Sequence, residues 1–320
     1  MLGAMMNSSQ TTKPPHVLVV CGPTATGKSE LGVALAERVG GEVISADSMQ
    51  LYAGMDIGTG KLPDAERRGV PHHLLDIWDI TETADVARYQ QLARERVHDV
   101  ADRGLIPIVV GGSGLYVDAV VLDWRFPGTD PMVRARWQEF ADVHGSAAAH
   151  RELADRDPVA AAAILPTNTR RIVRALEVIE LTGEPFTATL PRRNDYFAHT
   201  RLGWQPEHQH DAAIADRVDG MLADGWLDEV RRLEDAGLRR GRTASRALGY
   251  QQLLAHLDGE ITLQAAREQT VVATCKFARR QRKWFAQDDR MHWLTSPDPA
   301  DRLDEALQVW SARSAQANPA

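Results

Sequence analysis

The 320-residue sequence predicts an α/β fold: a parallel sheet flanked by helices, with a helical insertion. Three observations carry it. Short apolar, β-branched runs that suit strands buried on both faces alternate with helical patterns, in the order expected of right-handed βαβ units. A glycine-rich loop joins the first strand to the first helix. From residue 124 to 195 the strand runs stop and only helix-like stretches remain.

Residues 1–15 lack the charged and apolar regions of a secretory signal and read as a disordered leader closed by Pro14-Pro15. Residues 17–20 form the first strand. Leu31, Ala34, Leu35 and Val39 then make a helical stripe that Gly40-Gly41 closes, and residues 42–45 form a second strand. Val86, Tyr89, Ala93, Val97 and Val100 predict a helix over 84–103, and residues 106–110 form a third strand running into Gly111-Gly112. Helices are expected near 131–143, 158–164 and 168–182, a returning strand at 200–204, helices across 211–287 and a short helix after Ser296. The expected division is a core of 16–124 and 196–320 and an insertion of 125–195.

At roughly 150 residues per domain, about two domains fit this length, and 43 % hydrophobic with 25 % charged residues is a soluble globular mixture. The net charge of -7 excludes a uniformly basic nucleic-acid coat. Residues 276–290 nevertheless set Lys276, Arg279, Arg280, Arg282, Lys283 and Arg290 against only Asp288 and Asp289. Cys21 and Cys275 lie far apart and form no C-x-x-C, so neither a disulfide framework nor a zinc cluster is indicated and a reducing, cytoplasmic compartment fits. No apolar run reaches the roughly 18–20 residues of a membrane span.

Gly22, Pro23, Thr24, Ala25, Thr26, Gly27, Lys28 and Ser29 fit G-x-x-x-x-G-K-[ST] between a buried strand and a helix, the P-loop NTPase-like arrangement. Such a loop turns successive N–H groups onto phosphate oxygens at a helix N-terminus; Lys28 adds a cation and Ser29 a hydroxyl suited to Mg²⁺. The strand at 106–110 ends in Gly111-Gly-Ser-Gly114 with no carboxylate for a nucleotide-bound metal, which disfavours a motor or switch. A small-metabolite kinase and an enzyme gripping some other diphosphate stay open on these residues. A nucleic-acid module with structural nucleotide would leave Lys28, Ser29 and Asp47 unexplained.

Further segments resemble the bacterial tRNA dimethylallyltransferases. They are Ile44-Ser-Ala-Asp-Ser-Met-Gln-Leu-Tyr52, Met55-Asp-Ile-Gly-Thr-Gly-Lys61, Pro71-His-His-Leu-Leu-Asp76, Val110-Gly-Gly-Ser-Gly-Leu-Tyr116, Asn168-Thr-Arg-Arg-Ile-Val-Arg-Ala-Leu-Glu177, Leu248-Gly-Tyr-Gln251 and Phe277-Ala-Arg-Arg-Gln-Arg-Lys-Trp284. They follow the family's order across residues 16–294. The resemblance implies transfer of a dimethylallyl group from dimethylallyl diphosphate to N6 of adenosine 37, beside the anticodon, in tRNAs reading codons that begin with U. It also implies Mg²⁺, a monomer, and recognition of the anticodon stem-loop.

Carried onto this sequence, the resemblance makes Asp47 the general base, Arg217 the second diphosphate contact and Lys28 the loop cation. Asp47 also suits capping the turn that follows it, and Asp76 is assigned to structure. The family's tRNA-contacting segments fall on Asp47, Ser48, Met49 and Gln50; on Ser113 and Arg134; on Arg170, Arg171, Ile172, Val173 and Arg174; on Arg246, Ala247, Leu248, Gly249, Tyr250 and Gln251; and on Arg279, Arg280, Gln281, Arg282, Lys283 and Trp284 through Ala286. Trp284 is a candidate stacking platform, although any one of these runs also suits a solvated helix face. Ala213, before Ile214, replaces an arginine common in the family. No zinc-finger pattern follows Cys275, His208-Gln-His210 is not read as a metal site, and Gly114 carries no reading.

Overall fold

The computed structural model describes residues 15–186, 194–204 and 210–317. The expected leader, except Pro15, and residues 207–209 of the His-x-His stretch lie outside the described residues. Strand β1 (His16–Cys21) is buried from Val17 onward and leads through the glycine-rich loop into helix α1 (Lys28–Val39). Strand β2 (Gly41–Ser45), the two-residue strand β3 (His72–His73), helix α2 (Val86–Asp102), strand β4 (Ile106–Gly111) and helix α3 (Gly114–Val121) follow. Helices α4 (Pro131–His144), α5 (Ser146–Arg156), α6 (Pro158–Ala163) and α7 (Thr169–Thr182) come next, then strand β5 (Ala198–Trp204). Helices α8 (His210–Ala223), α9 (Trp226–Asp235), α10 (Tyr250–Leu257) and α11 (Leu263–Phe285), strand β6 (Met291–Leu294) and helix α12 (Pro299–Ala317) complete the order.

All strand pairs are parallel, in the order β3-β2-β4-β1-β5-β6. Val19 of β1 therefore lies between Val109 of β4 and Arg201 of β5. Leu18, Val20, Val43, Ile108 and Val110 of the sheet cluster with Leu31 and Leu35 of α1 and Trp310 of α12. Helix α2 buries Tyr89, Ala93, Val97 and Val100 completely, a stripe at helical spacing, and is N-capped by Asp85, which accepts the N–H groups of Ala87 and Arg88. Burying such a valine is worth about 1.5–3 kcal/mol, so packing rather than propensity decides this helix.

The chain divides into two compact units: Asp123–Asn194, holding α4 to α7, and the remainder, holding the sheet. In the helical unit, Trp137, Leu153, Ile164, Ile172, Val173 and Leu176 form a core of its own. Glu177, fully buried there, accepts from Thr129 Oγ1, the Asp130 N–H and Arg174.

Five elements depart from expectation, among them helix α5, for which no separate stretch is expected. Helix α3 has no legible period because six of its eight residues are buried, which erases the polar face that marks an amphipathic helix. Strands β3 and β6 are too short to carry alternation. Helix α12 is not short but 19 residues long, held by Ala306 and Trp310 in the core beside Leu294. Cys21 packs as a small hydrophobe: burial pushes its thiol up to about 12, and Sγ lies 3.5 Å from Met291 Sδ.

Candidate active site

Because every strand is parallel, the loops after β1, β2 and β4 leave the same edge of the sheet, where open α/β sheets bind ligands. The loop after β1 is tightly shaped. Gly27 takes φ 71° as the N-cap of α1, and Ala25, which is not a glycine, sits at φ 57°, a left-handed conformation costing about 1–2 kcal/mol. Bonds on either side hold it. Thr26 Oγ1 donates to Pro23 O at 2.9 Å, the Thr24 N–H donates to Gln281 Oε1 at 2.9 Å, and Thr24 O accepts from His210 Nε2 at 2.8 Å.

Above this loop a polar cavity of about 130 Å³ is lined by Thr26, Lys28, Ser29, Asp47, Gln50 and Arg217, among others. Burial and the neighbouring Arg217 charge lower the Lys28 ammonium to about 8, against the pull of Asp47 and Glu30. Burial lowers Arg217 as well, with Glu30 and Asp47 opposing. Two cations crowded into a small space with loop N–H groups form a site whose unfavourable charge an anion relieves. Among the described residues no cluster of three or more His, Cys, Asp or Glu side chains could hold a metal. The donor set fits a Mg²⁺ carried on substrate phosphates and touched by Ser29, the usual habit of that ion, rather than a protein cage.

A second cavity of about 340 Å³ is lined by Ala25, Met49, Ile214, Val218, Met221, Trp226, Leu248 and Phe277, and also by Ser48, Ser113, Arg246 and Arg280. Thr24, Asp47, Thr59, Arg217 and Phe277 line both cavities. Asp47 and Arg217 thus face a polar compartment and a largely apolar, aromatic one. Asp47 Oδ1 accepts the Met49 N–H at 2.9 Å, the turn-capping contact. Gly60, at φ 62°, allows close approach of Arg217: a Cβ there would lie 1.8 Å from Nη2.

The wall of both cavities rests on a carboxylate that sequence reasoning missed. Glu229 of α9 is 2 % exposed and accepts the N–H groups of Asp56, Ile57 and Gly58, and Tyr250 O–H at 2.5 Å. Gln50 ties the same segment to β2: Nε2 donates to Thr59 O and Gly60 O, while Oε1 accepts from Ser45. Lys61 bonds Asp56 at 2.5 Å and Asp76 at 2.6 Å, giving Asp76 a structural contact.

The residues expected to touch RNA have different fates. Ser48 and Ser113 meet each other, the Ser48 N–H donating to Ser113 Oγ at 3.3 Å. Arg246, Gln251, Arg279, Arg280 and Lys283 are exposed, although Arg279 pairs with Asp211 at 2.6 Å. Ala247, Gly249 and Tyr250 are buried, Leu248 is half-buried, and Gln281, 5 % exposed, braces the phosphate loop and donates to Gly112 O. Trp284 is half-buried, its Nε1 donating to Asp118 at 2.9 Å. In the helical unit Arg170 and Arg171 are exposed and Arg134 half-buried, while Arg174 holds Pro127 O, Gly128 O and Glu177. Ile172 and Val173 require correction: at 0 % and 1 % exposure they are core, and their side chains present nothing to a ligand. Both ring nitrogens of His210 are engaged, with Thr24 and Arg282.

A parallel sheet whose interior strand turns through a Gly-x-x-x-x-Gly-Lys-Ser loop into a helix N-terminus places the molecule in the P-loop NTPase-like class. Within it, the chain belongs to the IPP transferase family, whose model matches residues 50–288. It is 59 % identical over 300 residues to the tRNA dimethylallyltransferase of Streptomyces coelicolor, covering 92 % of this chain and 95 % of that one. Its structure is similar to the tRNA isopentenylpyrophosphate transferase of Bacillus halodurans, with TM-score 0.69, 36 % identity and coverage of 94 % and 98 % of the two chains. It is also similar to a eukaryotic dimethylallyltransferase acting on tRNA, with TM-score 0.76, 27 % identity and coverage of 94 % and 77 %.

Proposed function

We propose that this chain transfers the dimethylallyl group of dimethylallyl diphosphate to N6 of adenosine 37 in tRNAs reading codons that begin with U. The observation that carries this is the pair Asp47 and Arg217, lining both the polar and the apolar cavity. In this assignment the diphosphate lies on the loop N–H groups, Lys28 and Arg217, and the allyl group and adenine share the second cavity. A base inside a stack hides its amine, so the nucleotide is turned out to reach this point. The N6 lone pair attacks C1 of the allyl group, the C1–O bond breaks, and its electrons leave with the diphosphate. Lys28, Arg217 and the loop donors are already in place for that developing charge.

Asp47 takes the N6 proton. Its Oδ1 accepts the Met49 N–H, a contact that orients the carboxylate for this role. Ser29 with the diphosphate oxygens would hold Mg²⁺, which when bound neutralises charge on the leaving group. The exposed Arg279, Arg280 and Lys283 of α11 supply cations for the phosphates of the anticodon stem-loop. Among the described residues no helix is long and apolar enough to cross a membrane. Independently of that, the resemblance to the family is the ground for assigning a cytoplasmic monomer.

The test is incubation with labelled dimethylallyl diphosphate, Mg²⁺ and unmodified tRNA, with the product nucleoside identified by mass. Label in N6-(dimethylallyl)adenosine is expected. ADP released from ATP in the presence of a small acceptor, with no tRNA product, would overturn it in favour of a kinase.

A further inference from the structure

We infer that His210 is a positioning residue for the diphosphate loop, acting as a clamp on Thr24 that is itself held by Arg282. The inference rests on the proposed role of the loop in binding the donor diphosphate. His210, the first residue of α8, is 7 % exposed, with Nε2 2.8 Å from Thr24 O and Nδ1 3.1 Å from Arg282 Nη2. A carbonyl oxygen only accepts and a guanidinium only donates, so Nε2 carries the proton and Nδ1 does not. The ring is a neutral imidazole in one fixed tautomer, each nitrogen with one partner.

What the clamp does follows from its place in the chain. Thr24 precedes Ala25, the strained non-glycine residue at φ 57°. The Thr24 N–H is held by Gln281 and its carbonyl by His210, so α8 and α11 fix both polar groups of the peptide units entering the strained turn. Gln281 and Arg282 are consecutive residues of α11, and they brace the same loop residue directly and through His210. An unbraced loop relaxes at Ala25 and must be reordered when the anion binds; a braced one meets it already shaped. Nothing in the sequence marks His210 for this, since its only visible pattern is the His-x-His spacing.

Two isosteric changes separate the contacts. In His210→Gln the amide nitrogen reaches the position of Nε2 and keeps the donor to Thr24 O. In His210→Asn the shorter amide reaches only the position of Nδ1. Titration calorimetry with dimethylallyl diphosphate, without tRNA, should show His210→Gln within about twofold of the parent and His210→Asn weaker by about tenfold, the loss of roughly one hydrogen bond. Melting temperatures of the two variants should agree, because a merely structural role would move both. Equal affinity in all three proteins, or losses that track the melting temperature, would overturn the clamp. A parent chain that binds no dimethylallyl diphosphate removes the proposed function, and this inference with it.

Discussion

The indole of Trp284 occupies the space over Gly114: a Cβ built on that glycine would fall 2.3 Å from Cδ1 and 2.4 Å from Nε1 of the ring. The same Nε1 donates to Asp118 at 2.9 Å, and Asp118, 1 % exposed, pairs with the buried Arg201 at 2.6 Å. The end of α11 is thus pinned to the start of α3, next to Ser113. Contact with a bare Cα explains why this position is glycine, which nothing in the surrounding sequence pattern reveals.

Gly114→Ala forces a rigid ring aside and should destabilise the fold by about 1–3 kcal/mol, read as a lower denaturation midpoint with unchanged slope. Trp284→Phe removes the N–H donor and should cost about 1 kcal/mol. A neutral Gly114→Ala would show that Trp284 leaves that space at no cost.

Asp47→Asn keeps an oxygen for the Met49 N–H and removes the proton acceptor. Turnover should fall by about 10²- to 10⁴-fold, with tRNA affinity within about twofold of the parent. Asp47→Ala should add a stability loss of about 1 kcal/mol from the unmade turn contact. Equal loss of turnover and tRNA affinity in Asp47→Asn would make Asp47 a binding residue.

Lys28, lowered to about 8, is cationic below that pH and neutral above it. Affinity for inorganic diphosphate should therefore fall as pH rises through about 8, and Lys28→Gln should flatten the profile. Stability runs the opposite way. The unfolded lysine titrates near 10.5, so between about 8 and 10.5 the unfolded chain binds more protons and the folded state gains stability with rising pH. An affinity flat across that window would mean that Lys28 does not meet the anion.

Replacing Arg280 and Lys283 with glutamine should weaken tRNA binding and flatten its salt dependence, by roughly 0.7 in the slope of log K against log salt per lost contact. Arg279→Gln should do less, because its guanidinium is already paired with Asp211. An unchanged slope in the double variant would remove α11 from the RNA surface.

The parts of the site legible in the sequence are those with a local pattern: the phosphate loop between strand and helix, and Asp47 just past β2. Arg217 had no local signal and was placed by resemblance alone. Glu229 and His210 were invisible because each is a single polar residue on a helix whose partners lie far away in sequence. Ile172 and Val173 were carried along with their arginine neighbours, although consecutive helix positions face different ways; their burial was legible in the helical period. In the fold, alternation and stripes revealed the half-buried elements, whereas α3, enclosed on nearly every side, showed no periodicity.

The order of strands also bears on how the chain is made. Strand β1 is made well before one of its two hydrogen-bonding neighbours, β5, which begins only at Ala198, after the whole of Asp123–Asn194. Until then the emerging chain can pair β1 with β4 alone, leaving Val17 to Cys21 as a bare apolar edge of the kind that seeks other chains. The helical unit, with a core of its own, can form during that interval, so the closing of the sheet on β1 waits on β5 and not on the insertion.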